Sequence, residues 1–311
     1  MTRIPDECDA ETRALLEWVA EADPPPLHGM SALEARAEYD ERRVRSELSP
    51  VPVARVEDRA IAGPASPIPL RIYAPREGEG LPVLVYYHGG GFVIGDLDSH
   101  DSICRRIAVA ADCLVVSVAY RLAPEAPYPA AVEDSLAAFD WCAAHVAEVG
   151  GDAARLAVGG DSAGGGLAAY VAQQRRDQID CQILIYPYMD PNADTGTRQS
   201  CADVFPIDKP TIDWFNAQYL PDEARRGEVG AAPGLVDDVA GLPGALVLTA
   251  SLDPLCDEAK VYADRIAAAG VPMTYHCDPG TIHGYLGMGQ FLPHAERAIE
   301  KIGASLREAF G

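Results

Sequence analysis

The pentapeptide Gly160-Asp161-Ser162-Ala163-Gly164 constrains this chain more than any other stretch. The apolar run Leu156-Ala157-Val158 leads into it, and a helical pattern over 165–176 leads out. The segment reads as a strand, a sharp turn and a helix, with serine at the apex. A turn this tight leaves no room for side chains at its flanks, so small residues are needed there. The serine is lifted clear of the sheet and becomes a candidate nucleophile. A flexible loop would account for the glycines, but not for the strand before them and the helix after.

The rest of the chain supplies the sheet that such a unit needs. From residue 81 onward, apolar runs near 82–87, 114–118, 155–159, 181–186, 245–250 and 272–277 read as strands. Helical patterns near 99–111, 130–147, 163–176, 256–269 and 292–309 alternate with them. Alternation predicts an α/β fold, with a mostly parallel central sheet covered by helices on both faces. Residues 51–74 alternate in polarity and contain proline, which predicts antiparallel strands ahead of it. A chain of 311 residues suffices for one large domain with an elaboration.

A nucleophilic serine needs a histidine to take its proton and a carboxylate to orient that histidine. The strand–turn–helix unit resembles that of α/β-hydrolases, in which the acid follows the serine in the chain and the histidine comes last. Of seven histidines, only His276, His283 and His294 lie after Ser162. His276 falls in a strand pattern and reads as structural. His294 falls in the last helical pattern and reads as solvated. His283 lies in a glycine-flanked segment after the 272–277 strand, where a catalytic histidine belongs. The acid is sought after the apolar run 245–250, where Asp253, Asp257 and Glu258 compete. Asp253 is nearest the strand end and precedes Pro254, so it is preferred. Asp257 is the alternative, although it and Glu258 also suit the first turn of the next helix.

A tetrahedral oxyanion needs donors. The strand pattern 82–87 is followed by His88-Gly89-Gly90-Gly91-Phe92, whose consecutive glycines let backbone N–H groups converge. The N–H groups of Gly89, Gly90, Gly91 and Ala163 are the candidate oxyanion hole, and His88 is expected to brace the glycine turn. A phosphate cradle is the weaker reading, since neither phosphate-binding glycine motif is present.

Between the strands near 181–186 and 245–250, the stretch 188–240 has no strand pattern and exceeds an ordinary connection. It contains an amphipathic helical run, 211–220, opened by Asp208-Lys209-Pro210. An insertion there would lie over the sheet edge beside Ser162. Residues 1–47 also read as helical, broken at Asp23-Pro24-Pro25-Pro26. Trp18, Phe92, Trp214, Phe215 and Tyr219 are candidate pocket-lining aromatics, or else fasten these segments to the body. Tyr120-Arg121-Leu122-Ala123-Pro124-Glu125 reads as structural, through a buried Arg121–Glu125 pair that reaches toward Asp161.

Together, His88-Gly89-Gly90-Gly91-Phe92, the Tyr120–Glu125 motif, Gly160–Gly165, Asp253-Pro254-Leu255 and His283-Gly284 resemble the hormone-sensitive lipase family of bacterial esterases, in its GDSAG branch. The resemblance covers about residues 50–310. It implies an α/β-hydrolase fold and a carboxylesterase acting on short- to medium-chain acyl esters, with no metal or other cofactor. It also implies a helical cap from residues 1–47 and 188–240 over a catalytic domain of 48–187 and 241–311, and dimerisation through the last strand or helix. Ser162, Asp253 and His283 occupy the family's catalytic positions. The plant hormone receptors of this superfamily lack the histidine that is present here. An amidase or aryl-amide deacylase would use the same residues. A non-catalytic small-ligand receptor is the reading from another class, and the intact triad opposes it.

Composition sets the setting. A net charge of −22 disfavours nucleic acid and anionic membrane surfaces as partners. No export signal opens the chain and no apolar stretch is long enough to span a bilayer, so a cytoplasmic enzyme is expected. The eight cysteines form no C-x-x-C pair, which argues against zinc. Cys104, Cys113, Cys142, Cys181 and Cys277 read as small core residues.

Overall fold

The computed structural model describes residues 3–311. The strands are β1 (Arg55–Ile61), β2 (Ile68–Ala74), β3 (Leu81–Tyr87), β4 (Leu114–Val118), β5 (Gly151–Asp161), β6 (Cys181–Ile185), β7 (Gly244–Leu252) and β8 (Met273–Ile282). They join one sheet in the order β1-β2-β4-β3-β5-β6-β7-β8. β1 and β2 pair antiparallel, β2 meets β4 antiparallel, and every later pairing is parallel. β1 alternates between half-buried and exposed residues, as a sheet-edge strand with one wet face does. β3, β4 and β6 are buried at every position, which is why their hydropathy runs unbroken instead of alternating.

The helices are α1 (Ala10–Ala22), α2 (Ala32–Ser46), α3 (Asp101–Ala111), α4 (Ala130–His145), α5 (Ala163–Gln174), α6 (Gly196–Ser200), α7 (Lys209–Tyr219), α8 (Cys256–Ala268) and α9 (His294–Phe310). Strand residues alternate between two cores. Val83, Val85 and Tyr87 of β3 face one, where Phe139, Leu167, Val171 and Ile266 from α4, α5 and α8 meet them. Leu84 and Tyr86 face the other, with Ile103 and Ile107 of α3 and Ile302 and Leu306 of α9. Covering both faces satisfies the apolar demand of a parallel sheet.

Local chemistry starts and stops the N-terminal helices. Asp9 caps α1 by accepting the N–H of Thr12, and a proline run over 24–26 follows its end. Ser31 and Glu34 form a reciprocal capping box at the start of α2. Asp208 caps α7, with Pro210 in its first turn. The 188–240 connection contains α6 and α7 but no strand.

β8 runs further than its apolar core suggests. β8 continues through Asp278, Pro279 and Gly280 to Ile282, because β7 offers it a ladder beyond a bulge that ends with Leu252 opposite Ile282. No described helix is long and apolar enough to cross a membrane.

Candidate active site

The parallel strands point their C-terminal ends to one edge, and the candidate residues follow those ends. β5 lies beside β3, where the strand order reverses, so the turn after β5 stands against the glycine loop after β3. Ser162 occupies φ 55°, ψ −120°, a costly conformation for a residue with a Cβ. Its N–H donates to the Ile185 carbonyl at 2.9 Å, and its own carbonyl accepts from Tyr188 at 2.9 Å and Gly166 at 3.2 Å. A Cβ on Gly160 or Gly164 would collide with the Tyr87 carbonyl oxygen. The small residues of the pentapeptide are therefore set by the approach of β3.

The β7–β8 register brings the next two residues together. Asp253 and His283 immediately follow the paired Leu252 and Ile282. His283 Nδ1–H donates to Asp253 Oδ2 at 2.7 Å, which leaves Nε2 to accept from Ser162 Oγ–H at 2.9 Å. Asp253 is fully buried, and its Oδ1 accepts the Leu255 N–H at 2.8 Å. The other two carboxylates face away from the histidine. Asp257 accepts the Thr197 N–H at 2.9 Å. Glu258 pairs with Arg198 at 2.8 Å and accepts the Met189 N–H at 2.8 Å. Burial pushes the Glu258 carboxyl up to about 7 against the opposing pull of Arg198. Both residues thus tie the 188–240 segment to α8.

The glycine loop departs from expectation at one donor. The Gly89 N–H is already engaged, donating to Asp161 Oδ1 at 3.0 Å. The same oxygen accepts from Tyr86 O–H at 2.8 Å and lies 3.2 Å from His100 Nε2. Burial raises the Asp161 pKa, but His100 and these hydrogen bonds outweigh it and hold the carboxyl below its ordinary range. Gly89 is therefore an anchor of the loop and not a free donor. The N–H groups of Gly90, Gly91 and Ala163 meet no acceptor among the described residues, and all three residues line the cavity above Ser162. His88 braces the loop, with Nδ1–H donating to the Gly89 carbonyl at 2.7 Å and the ring stacked on Tyr120. Burial, then the neighbouring His100, lowers the His88 pKa to about 4, so His88 is neutral there.

The cavity measures about 350 Å³ and contains Ser162 and His283 in its lining. Trp18, Phe92 and Phe215 line it, but Trp214 and Tyr219 do not. Tyr219 is 1% exposed, stacked at 3.8 Å on the far side of Phe92, and Trp214 packs edge-on to Phe215. These two fasten α7 to the body. Leu15 and Val19 of α1, Tyr39 and Arg42 of α2, and Phe205 and Ile207 of the 188–240 connection complete much of the wall.

Other expectations need correction. Arg121 does not pair with Glu125. It grips Asp134 through Nε and Nη2, both at 2.8 Å, and reaches Glu133 at 3.2 Å. Glu125 instead takes both Nη atoms of Arg36 on α2, at 2.9 and 2.7 Å. Arg36 also donates to the carbonyls of Val93 at 2.8 Å and Ala123 at 2.9 Å, clamping the N-terminal segment beside the glycine loop. His294 is buried, not solvated, with Nε2 2.9 Å from Asp9 Oδ2. Its i+4 companions Ala298, Ile302 and Leu306 mark the apolar face of α9, a signal present in the sequence. Cys277 is only half-buried and does not belong to the core, whereas Cys201 does. Tyr86, His100 and Arg36 went unremarked in the sequence. The need of a buried Asp161 for donors is the clue to the first two.

Comparison with known proteins agrees with this architecture. A family described as the alpha/beta hydrolase fold matches residues 84–287. Esterase LipI of Mycobacterium tuberculosis is 42% identical over 302 residues, 92% of this chain and 94% of that protein. Ethyl acetate hydrolase of Pseudomonas putida is 32% identical over 292 residues, 91% of this chain and 92% of that one. The solved ester-hydrolase EH1AB1, from the metagenome of Lake Arreo, superposes with a TM-score of 0.95 at 42% identity, covering 98% of this chain and 99% of that one. The chain belongs to the α/β-hydrolase fold family, as a serine carboxylester hydrolase of the hormone-sensitive lipase type.

Proposed function

We propose that the chain hydrolyses short- to medium-chain acyl esters through an acyl-enzyme on Ser162. The observation that carries this reading is the unbroken relay Ser162 Oγ, His283 and Asp253, at 2.9 and 2.7 Å, opening into an apolar-walled cavity. His283 takes the Ser162 proton as Oγ attacks the ester carbonyl, and buried Asp253 stabilises the imidazolium. The N–H groups of Gly90, Gly91 and Ala163 receive the oxyanion. His283 then returns the proton to the departing alcohol. Water repeats the sequence in reverse and frees the acid.

Residues 1–47 and 188–240 act as the cap over a catalytic domain of 48–187 and 241–311. Trp18, Phe92 and Phe215 shape the acyl pocket. The cavity volume, near the lower end of small-molecule sites, favours acyl groups well short of fatty-acid length. EH1AB1 was solved with a bipyridine phosphonate derivative, and tetrahedral phosphorus mimics the intermediate proposed here.

A paired assay tests the proposal. Wild type and Ser162→Ala are compared on p-nitrophenyl esters from acetate to palmitate. Turnover should peak among the shorter esters, and the variant should lose about 10³-fold or more in kcat. A Ser162→Ala variant with near wild-type rates would overturn the nucleophile assignment. A maximum at palmitate would overturn the chain-length assignment.

A further inference from the structure

Cys256 and Cys277 come from different elements, 21 residues apart, and their sulfurs lie 3.9 Å apart. All eight cysteines are free thiols. Cys256 is the first residue of α8, three residues after Asp253. Cys277 lies on β8, the last strand of the sheet, and is half-buried, so a small oxidant can reach it. Tyr275 O–H sits 3.9 Å from Cys256 Sγ and 2.9 Å from Thr249 Oγ1, closing the polar side of the pair.

We propose that Cys256 and Cys277 form a reversible dithiol–disulfide site, oxidised by hydroperoxides, whose closure disturbs the turn that carries Asp253. The sulfurs must approach by about 2 Å to reach bonding distance. The chemistry balances with one peroxide. Cys277 thiolate attacks a peroxide oxygen, giving a sulfenic acid and releasing one water (an alcohol from an organic peroxide). Cys256 sulfur then attacks the sulfenic sulfur and expels a second water. Two thiols lose two electrons and two protons, and the peroxide O–O bond is reduced.

Cys277 is suited to the first step. The two sulfurs share one hydrogen bond, and with Cys256 as its donor Cys277 is held below the usual thiol range while Cys256 is pushed up. The link to the site is direct. The Cys256 N–H donates to the Asp253 carbonyl at 3.1 Å, and the adjacent Leu255 N–H to Asp253 Oδ1 at 2.8 Å. Pulling Cys256 toward β8 pulls on both bonds. Only this second part rests on the proposed role of Asp253.

The test treats the full chain with hydrogen peroxide, then quenches it with a thiol-alkylating reagent for peptide mapping without reduction. The expected product is a crosslink between the peptides holding Cys256 and Cys277, a 2 Da mass loss, and at least a threefold fall in kcat/KM that dithiothreitol restores. Cys256→Ala and Cys277→Ser, made separately, should keep basal esterase activity, form no crosslink and resist that fall. Loss of thiols elsewhere, or irreversible Cys277 oxidation without the crosslink, would overturn the site. A crosslink with unchanged kcat/KM would overturn the coupling to Asp253. The mapping reads the crosslink whether or not Ser162 is the nucleophile.

Discussion

Asp161 and Gly89 lie 72 residues apart in the chain, yet the Asp161 carboxylate accepts the Gly89 N–H at 3.0 Å. One residue on from Asp161 is Ser162, and one residue on from Gly89 are the free loop amides. A single buried carboxylate thus registers the turn that carries Ser162 against the loop proposed to hold the oxyanion.

Asp161→Ala should leave the Gly89 N–H, Tyr86 O–H and His100 without their shared acceptor. The expected cost is about 3 kcal/mol of stability with a fall in kcat. Asp161→Asn should recover part of both, because an amide oxygen still accepts. Urea unfolding and steady-state kinetics on the two variants check the order. Equal behaviour of Ala and Asn would remove the acceptor role.

Arg36 clamps α2 to two loop carbonyls and to Glu125. Arg36→Ala should loosen the N-terminal segment without disrupting the sheet, at about 1–2 kcal/mol locally. Limited proteolysis should cut sooner in the proline-rich stretch between α1 and α2, and KM should rise. Unchanged cleavage and KM would show that α1 and α2 are held by apolar packing alone.

Glu258 sets a pH dependence. Its carboxyl ionises near 4.5 in an unfolded chain, and burial raises it to about 7 in the fold. The fold therefore binds that proton more tightly. The stability Glu258 contributes is complete below about pH 4.5 and is lost as pH rises through about 7. Glu258→Gln keeps an acceptor for Arg198 and Met189 but removes the titration. Relative to wild type, the variant should gain at least about 1 kcal/mol between pH 5 and pH 8 in urea unfolding. Parallel pH profiles for the two proteins would refute it.

The legible and illegible parts divide along physical lines. The parallel sheet was legible because strands buried on both faces must be continuously apolar, and β3, β4 and β6 are. Ser162 was legible because a strand, tight turn and helix impose small neighbours at close range. His283 was reached by chain order. Asp253 stood out from Asp257 only by its nearness to a strand end, and the bulge that aligns Leu252 with Ile282 is invisible in the sequence. Gly89 illustrates the limit. Three glycines announce available amides, but which amide a distant carboxylate occupies depends on tertiary approach. Glu125 and Arg121 sit four residues apart and invite pairing, yet each finds a better-placed partner on another element.

The central claim, that Ser162 is the acylated nucleophile, is tested most directly by trapping. The protein is treated with a p-nitrophenyl alkylphosphonate, and the adduct is located by intact mass and peptide mapping. One phosphonyl group per chain on Ser162, with proportional loss of esterase activity and no labelling of His283→Ala, is the predicted result. Full inactivation with the adduct on another residue, or unimpaired labelling of Ser162→Ala, would contradict it.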